Sequence, residues 1–249
     1  MNSMSSNKSF NLSGEVLVPG DKSISHRALI IWSMATGKIK IKNLLESDDV
    51  IATLNALKSL GIKIKKNQNF WEVFGNGIGN LSGSDFRLDM GNSGTGSRLL
   101  MGLIAGSDVE ATILGDESLS KRPMKRIIKP LMKTGATFGD PSNNHLPIKI
   151  RGSKIPLPLE YNSPVSSAQI KSSILLAGLS STGNTTIIEP TLSRDHSERM
   201  LKYLGAKIST VQLPDTSWKI TLEGLPTLKP LDIEIPSDPS SAAFPLVAS

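Results

Sequence analysis

The chain has 249 residues, no cysteine, 38% hydrophobic and 20% charged residues, and 28 Lys and Arg against 22 Asp and Glu, for a formal net charge of +6. That length suffices for one large or two ordinary domains with a sizeable core, while the lack of thiols excludes disulfides and thiolate chemistry and fits a cytoplasmic protein. No apolar run approaches the roughly 20 residues of a membrane span, and three histidines without metal-ligand spacing give no reason to expect a metal site.

A positive balance favours anionic partners. Aromatic residues are only 4%, and no dense basic tract, zinc-finger, helix-turn-helix or RNP pattern is present, so small anions fit better than nucleic acid. The opening MNSMSSNKS is polar, is no secretory signal, and reads as a frayed tail before a first strand. PGDKSISHR (residues 19–27) then runs a turn into two cations ahead of the apolar ALIIW. Asp21, Ser23 or Ser25 can cap a helix there. Lys22 and Arg27 fall within its first turn or so, where the helix end is already partly positive and an anionic ligand is called for to offset them. The plainer alternative is a capped helix with two solvated cations.

A composite pattern then returns three times. The first copy is ALIIWSMATG closed by Gly37, then KIKIKN, LLESDD and VIATLNALKSLGIKI. The second is LLMGLIAG closed by Gly106, then VEATIL, GDESLSKRP and MKRIIKPLMKTGATF. The third is IKSSILLAGLSSTG closed by Gly183, then NTTIIE, PTLSRDHSER and MLKYLGAKI. Gly61, Gly135 and Gly205 occupy corresponding helix C-caps, and the alternating NFWEVFG, LPIKIRG and SWKITLEG add a strand to each copy. Each copy is thus expected to be a β-α-β-α-β-β unit. Three such units pack about a pseudo-threefold axis with helices inward and sheets outward, an α+β architecture, because SILLAGL and RLLMGLIAG are apolar nearly all round. A fourth copy starts at PSDPSSAAFPLVAS (residues 236–249) and stops inside an apolar helix, which is expected of a truncated chain.

Four loops can carry chemistry. GNSGTGSR (residues 91–98) lets backbone amides approach a ligand and adds Asn92, Ser93 and Thr95, but has neither Walker nor dinucleotide spacing. GDESLSKRP (residues 115–123) offers Arg122 as a carboxylate clamp or a solvated surface cation. SPVSSAQIK (residues 163–171) puts Ser166, Ser167 and Gln169 at a helix start. SRDHSERM (residues 193–200) reads either as part of a site or as an exposed ion-pair network. Pseudo-threefold packing brings the starts at Lys22, Asn92 and Ser166 to one end, where one charge at 4 Å contributes roughly 4 kcal/mol in an effective dielectric near 20.

Taken in order, PGDKSISHRALI, LLESDDV, GNSGTGSRLLMGL, GDESLSKRPM, SSAQIKSSILLAGL, SRDHSERM and PSDPSSAAFPL closely resemble the 5-enolpyruvylshikimate-3-phosphate synthase family, in its class II bacterial form. The resemblance implies two domains of three units each: residues 21–235 as the first, with 1–20 and 236–249 belonging to a second that is mostly missing here. It implies enolpyruvyl transfer from phosphoenolpyruvate to the 5-hydroxyl of shikimate 3-phosphate, with no cofactor, inhibition by glyphosate, a monomer when complete, and a chain of this length inactive alone. Shikimate 3-phosphate contacts fall on Lys22, Ser23, Arg27, Ser167, Ala168, Gln169 and Arg194. Phosphoenolpyruvate contacts fall on Lys22, Asn92, Gly94, Arg122 and Gln169. Lys22 is the candidate for part of the proton transfer, and Asp48 and Asp49 resemble an acidic pair facing the cleft. The sister transferase acting on UDP-N-acetylglucosamine is a near rival, but it usually carries a reactive cysteine, and a non-catalytic anion-binding half is a rival of another class.

Overall fold

The computed structural model describes residues 14–82, 86–140 and 142–248. The polar tail, and Leu12 within the expected first strand, lie outside them. The first unit comprises α1 (Lys22–Trp32), β1 (Thr36–Lys42), α2 (Asp48–Ser59), β2 (Lys63–Lys66) and β3 (Phe70–Asn76). The second comprises β4 (Phe86–Asp89), α3 (Gly94–Ala105), β5 (Glu110–Leu114), the single turn α4 (Glu117–Ser120), α5 (Lys125–Lys133), β6 (Thr137–Phe138) and β7 (Ile148–Arg151). The third comprises β8 (Glu160–Asn162), α6 (Ala168–Gly178), β9 (Asn184–Glu189), α7 (His196–Tyr203), β10 (Ile208–Gln212) and β11 (Trp218–Glu223). After it come β12 (Ile233–Glu234) and α8 (Pro239–Ala248).

Three four-stranded sheets result, ordered β12-β1-β3-β2, β4-β5-β7-β6 and β8-β9-β11-β10. In each, a short edge strand pairs in parallel with the strand after the first helix, which in turn pairs antiparallel with the last strand of the unit. The edge position of the first sheet is filled from the far end of the chain, where β12 aligns Ile233 with Ile41. Residues 15–19 contribute no strand; Gly20 makes only an isolated bridge to Ser237. The ring of three units therefore closes head to tail. Chain entrance and exit lie side by side, held by Asp21 N–H to the Pro236 carbonyl (2.8 Å) and Asp238 N–H to the Pro19 carbonyl (2.9 Å).

Burial follows the pattern of the sequence. Ile39 and Ile41 of β1, Ala111 and Ile113 of β5, and Ile220 and Leu222 of β11 are inward and buried, and the residues between them face out. α1 is buried from Ser25 to Trp32, α3 from Leu99 to Ala105 and α6 from Ile170 to Gly178, so the first helices of the units form the core and the sheets cover them. Gly61, Gly135 and Gly205 end the second helices with φ of +89°, +97° and +99°, the left-handed conformation a helix end commonly needs. The short edge strands and the turn α4 leave no periodicity to read, since two to four residues do not define an alternation. α8 forms where the fourth copy starts, but no residue of it is buried: Phe244, Leu246 and Val247 are 80%, 72% and 88% exposed.

α3 and α6 meet backbone to backbone. A Cβ on Gly102 would stand 2.2 Å from the Ser173 carbonyl oxygen, so only glycine permits the approach. Gly102→Ala should lower unfolding free energy by about 1–3 kcal/mol, the usual cost of overpacking a core. An unchanged urea midpoint would show that the two helices are free to move apart.

Candidate anion-binding cleft

The beginnings of α1, α3 and α6 open on one cleft of about 330 Å³. Lys22, Ser23 and Arg27 line it from α1, Thr95 from α3, Ala168 and Gln169 from α6, and Arg194 from the loop before α7; Asp21, Asp238 and Ser240 complete the wall. Each helix start is capped by a short side chain that the local sequence supplies. Asp21 accepts from Ile24 N–H at 2.7 Å, Ser93 from Gly96 N–H at 3.1 Å and Ser167 from Ile170 N–H at 3.4 Å. Every helix therefore turns its partly positive end towards the same space. Ser167 borders an adjoining small recess with Arg98, Arg126 and Gln169.

Asn92, Gly94 and Arg122 sit together beside the cleft. Arg122 Nη2 donates to Asn92 Oδ1 at 2.6 Å, and Asn92 Nδ2 donates to Asp116 Oδ2 at 2.7 Å. The Leu119 amide and then the Asn92 amide hold the Asp116 carboxyl below its ordinary range, so it stays a carboxylate that orients Asn92. A Cβ on Gly94 would stand 2.8 Å from Arg98 Nη1 and 3.2 Å from Arg122 Nη1, so this glycine leaves room for two guanidinium groups. Gln169 joins the two parts: its Oε1 accepts from Arg98 at 3.2 Å and its Nε2 donates to Thr95 Oγ1 at 3.0 Å.

Arg98 is the member of the cluster to which the sequence reading assigned no role, although it ends the GNSGTGSR motif. Burial, then repulsion from Arg122 and Arg126, lowers its pKa. Among the described residues, Arg27, Arg98, Arg122 and Arg194 form no ion pair with a carboxylate. Such a surplus of guanidinium groups without a salt-bridged carboxylate attracts phosphate or carboxylate, which can accept two parallel N–H bonds from one guanidinium.

Three of the alternatives open in sequence, the plainer one for Arg27 among them, do not hold as stated. Arg27 is no solvated cation: it is 2% exposed, with Nε donating to Ser197 Oγ (2.9 Å), Nη2 to Ser172 Oγ (3.1 Å) and Nη1 to Ser23 Oγ (2.5 Å). Burial lowers its pKa to about 10, with the Glu198 charge opposing, so it stays protonated at neutral pH. Asp48 and Asp49 do not act as a pair, because Asp49 binds Lys22 Nζ at 2.7 Å while Asp48 lines a separate groove with Asn55 and Arg87. Successive residues in the first turn of a helix point about 100° apart. The 193–200 segment is only partly an exposed network: Arg199 and Asp195 pair at the surface, but Glu198 is buried against Lys171.

His26 is buried beneath the cleft, its Nδ1 at 2.9 Å from Thr53 Oγ1, and burial lowers its pKa from 6.5 to about 4. The unfolded chain therefore binds more protons between these values, and stability must fall as pH drops through that window, by up to about 3 kcal/mol at about 1.36 kcal/mol per pH unit. His26→Gln should lose less stability than the parent between pH 7 and 4.5 in urea titrations. Parallel losses in the two proteins would mean that His26 is already protonated or solvated.

Three α/β units whose helix beginnings surround one cation-lined cleft define a domain of the repeated α/β-unit class. The sequence profile described as EPSP synthase (3-phosphoshikimate 1-carboxyvinyltransferase) matches residues 6–249. The chain is 50% identical over 248 residues to the 3-phosphoshikimate 1-carboxyvinyltransferase of Parvibaculum lavamentivorans, covering 99% of this chain and 55% of that protein. It is 51% identical over 244 residues to the one from Zymomonas mobilis, covering 98% and 54%. The crystal structure of EPSP synthase from Acinetobacter baumannii superposes with a TM-score of 0.84 at 40% identity, over 93% of this chain and 51% of that one. The chain thus belongs to the EPSP synthase family and spans about half the length of the curated relatives it matches.

Proposed function

We propose that this chain supplies the shikimate 3-phosphate pocket and part of the phosphoenolpyruvate pocket of a 3-phosphoshikimate 1-carboxyvinyltransferase. The single observation that carries the reading is the meeting of three helix beginnings with Lys22, Arg27 and Arg194 around one cleft. A phosphorylated sugar acid fits that surplus of donors and positive charge. Lys22, Ser23, Arg27, Ser167, Ala168, Gln169 and Arg194 hold shikimate 3-phosphate. Lys22, Asn92, Gly94, Arg122 and Gln169 hold phosphoenolpyruvate, so Lys22 and Gln169 touch both substrates.

The sugar 5-hydroxyl adds to C2 of phosphoenolpyruvate as a proton goes to the methylene carbon, giving a tetrahedral intermediate. Loss of phosphate and of a proton from the new methyl group then restores the enol ether. General acid and base groups suffice for this exchange. In this chain Lys22 is the proton-handling candidate: its ammonium lines the cleft and is oriented by Asp49 at 2.7 Å. Arg122, held by Asn92 and set against the open face of Gly94, neutralises the carboxylate or phosphate of phosphoenolpyruvate. The same space beside Gly94 admits glyphosate. Residues 21–235 form one domain, with the flanking segments 1–20 and 236–249 belonging to a second; the complete protein is a cytoplasmic monomer.

Calorimetric titration tests the pocket directly. Shikimate 3-phosphate should bind the chain, and Lys22→Met should weaken it by about tenfold or more, since about 1.4 kcal/mol is one decade; no heat from the parent chain would sink the proposal. Phosphate release in the presence of both substrates reports turnover and separates an enzyme from a non-catalytic binding half. In the active enzyme, Gly94→Ala should raise the glyphosate inhibition constant by about tenfold or more, as the new methyl group crowds Arg98 and Arg122. An unchanged constant would place the inhibitor elsewhere.

A further inference from the structure

Beneath the cleft, in the third unit, lies an ionic cluster that takes no part in lining it. Lys171 of α6 is 1% exposed, and its ammonium forms ion pairs with Glu189 Oε1 at 2.8 Å, where it also donates a hydrogen bond, and with Glu198 Oε1 at 2.7 Å. Glu189, at the end of β9, is equally buried, and Glu198 of α7 is 6% exposed. One lysine and two carboxylates removed from water cost far more than they return unless geometry and hydrogen bonds compensate. A fold that needed only packing would place apolar side chains there. The cluster is therefore informative about what it holds in place.

What it holds is the residue before Arg194. Glu189 accepts from Ser193 N–H at 2.8 Å and from Ser193 Oγ at 2.8 Å, while Lys171 Nζ donates to the Ser193 carbonyl at 3.3 Å. Both polar groups of the Ser193 backbone are thus tied to buried charges. Arg194, the next residue, is itself exposed and reaches into the cleft. A long exposed side chain has a defined position only if its backbone does, since its own rotamers are costly to freeze.

We propose that Lys171 is a positioning residue of the cleft, which with Glu189 fixes the Ser193 backbone and so sets where the Arg194 guanidinium meets a phosphorylated ligand. Glu198 completes the arrangement by sharing the ammonium and tying α7 to α6. On α7 its neighbour Ser197 accepts from Arg27 Nε at 2.9 Å and lies 2.7 Å from Ser172 Oγ of α6. The ligand part of the proposal rests on the function proposed above; the loop part does not.

Two measurements test it. In the free protein, Lys171→Met should speed amide hydrogen exchange at Ser193 and Arg194 by about tenfold or more, the factor corresponding to about 1.4 kcal/mol, while the amides of α3 keep their rates. Unchanged exchange at 193–194, or equal acceleration in α3, overturns the proposal. Shikimate 3-phosphate is then titrated into the parent, Lys171→Met, Arg194→Met and the double variant. Lys171→Met should weaken binding in the parent background and do nothing further once Arg194 is gone, because a residue acting through another has no effect without it. Effects that multiply in the double variant overturn the positioning role. A parent protein that does not bind the sugar phosphate counts against the function proposed above, and the exchange rates still decide the role of Lys171. If Lys171→Met does not fold, the isosteric Glu189→Gln, which removes one charge of the cluster, serves in its place with the same expected outcomes.

Discussion

Three helices that are apolar over most of their surface must be largely hidden from water, and α1, α3 and α6 satisfy this by packing against one another beneath three sheets. Everything else in the molecule follows from that burial. Because each of these helices is the first of its unit and enters in the same sense, their beginnings share one end of the core. The backbone contact at Gly102 and Ser173 shows how closely α3 and α6 come together. The cleft is thus a by-product of hydrophobic packing, and the chemistry has been placed where the packing already gathers amide donors.

Once there, the charges are arranged to leave a positive surplus. Lys22 is oriented by Asp49, and the cleft-lining carboxylates are occupied as caps: Asp21 accepts from Ile24 N–H at 2.7 Å and Asp238 from Ser240 N–H at 2.9 Å. None of the arginines around the cleft meets a carboxylate among the described residues. Arg27 is held instead by hydroxyl groups, which satisfy its donors without neutralising it. A buried cation kept in this way projects its field into the cleft that it lines.

Much of this was legible in the chain itself. The repeat announced itself through helices apolar nearly all round and through Gly61, Gly135 and Gly205, because a left-handed helix end leaves a single-residue mark. Lys22, Ser167 and Gln169 stood out because they occupy helix starts. What escaped reading depends on distant contacts. β12 pairs with β1 across some 190 residues and is two residues long, so no local pattern betrays it. Arg98 gains its meaning from Gln169, 71 positions away, a distance no local pattern spans. Arg27 is legible in sequence as a cation at a helix start, but nothing local reports that Ser172 and Ser197 will enclose it. Lys171 passes as an ordinary helix position for the same reason: its carboxylates come from β9 and α7.

The head-to-tail closure has a topological corollary. With β12 seated beside β1, and Asp21 bonded to Pro236, the three units form a loop of polypeptide whose two ends leave through a single doorway. Anything spliced on at that doorway leaves all three sheets and their hydrophobic interior untouched, as domain insertion at neighbouring termini generally does. The same doorway opens onto the wall of the cleft through Asp21, Asp238 and Ser240. Whatever polypeptide is joined there is therefore delivered to the rim of the binding space by the connectivity of the backbone alone.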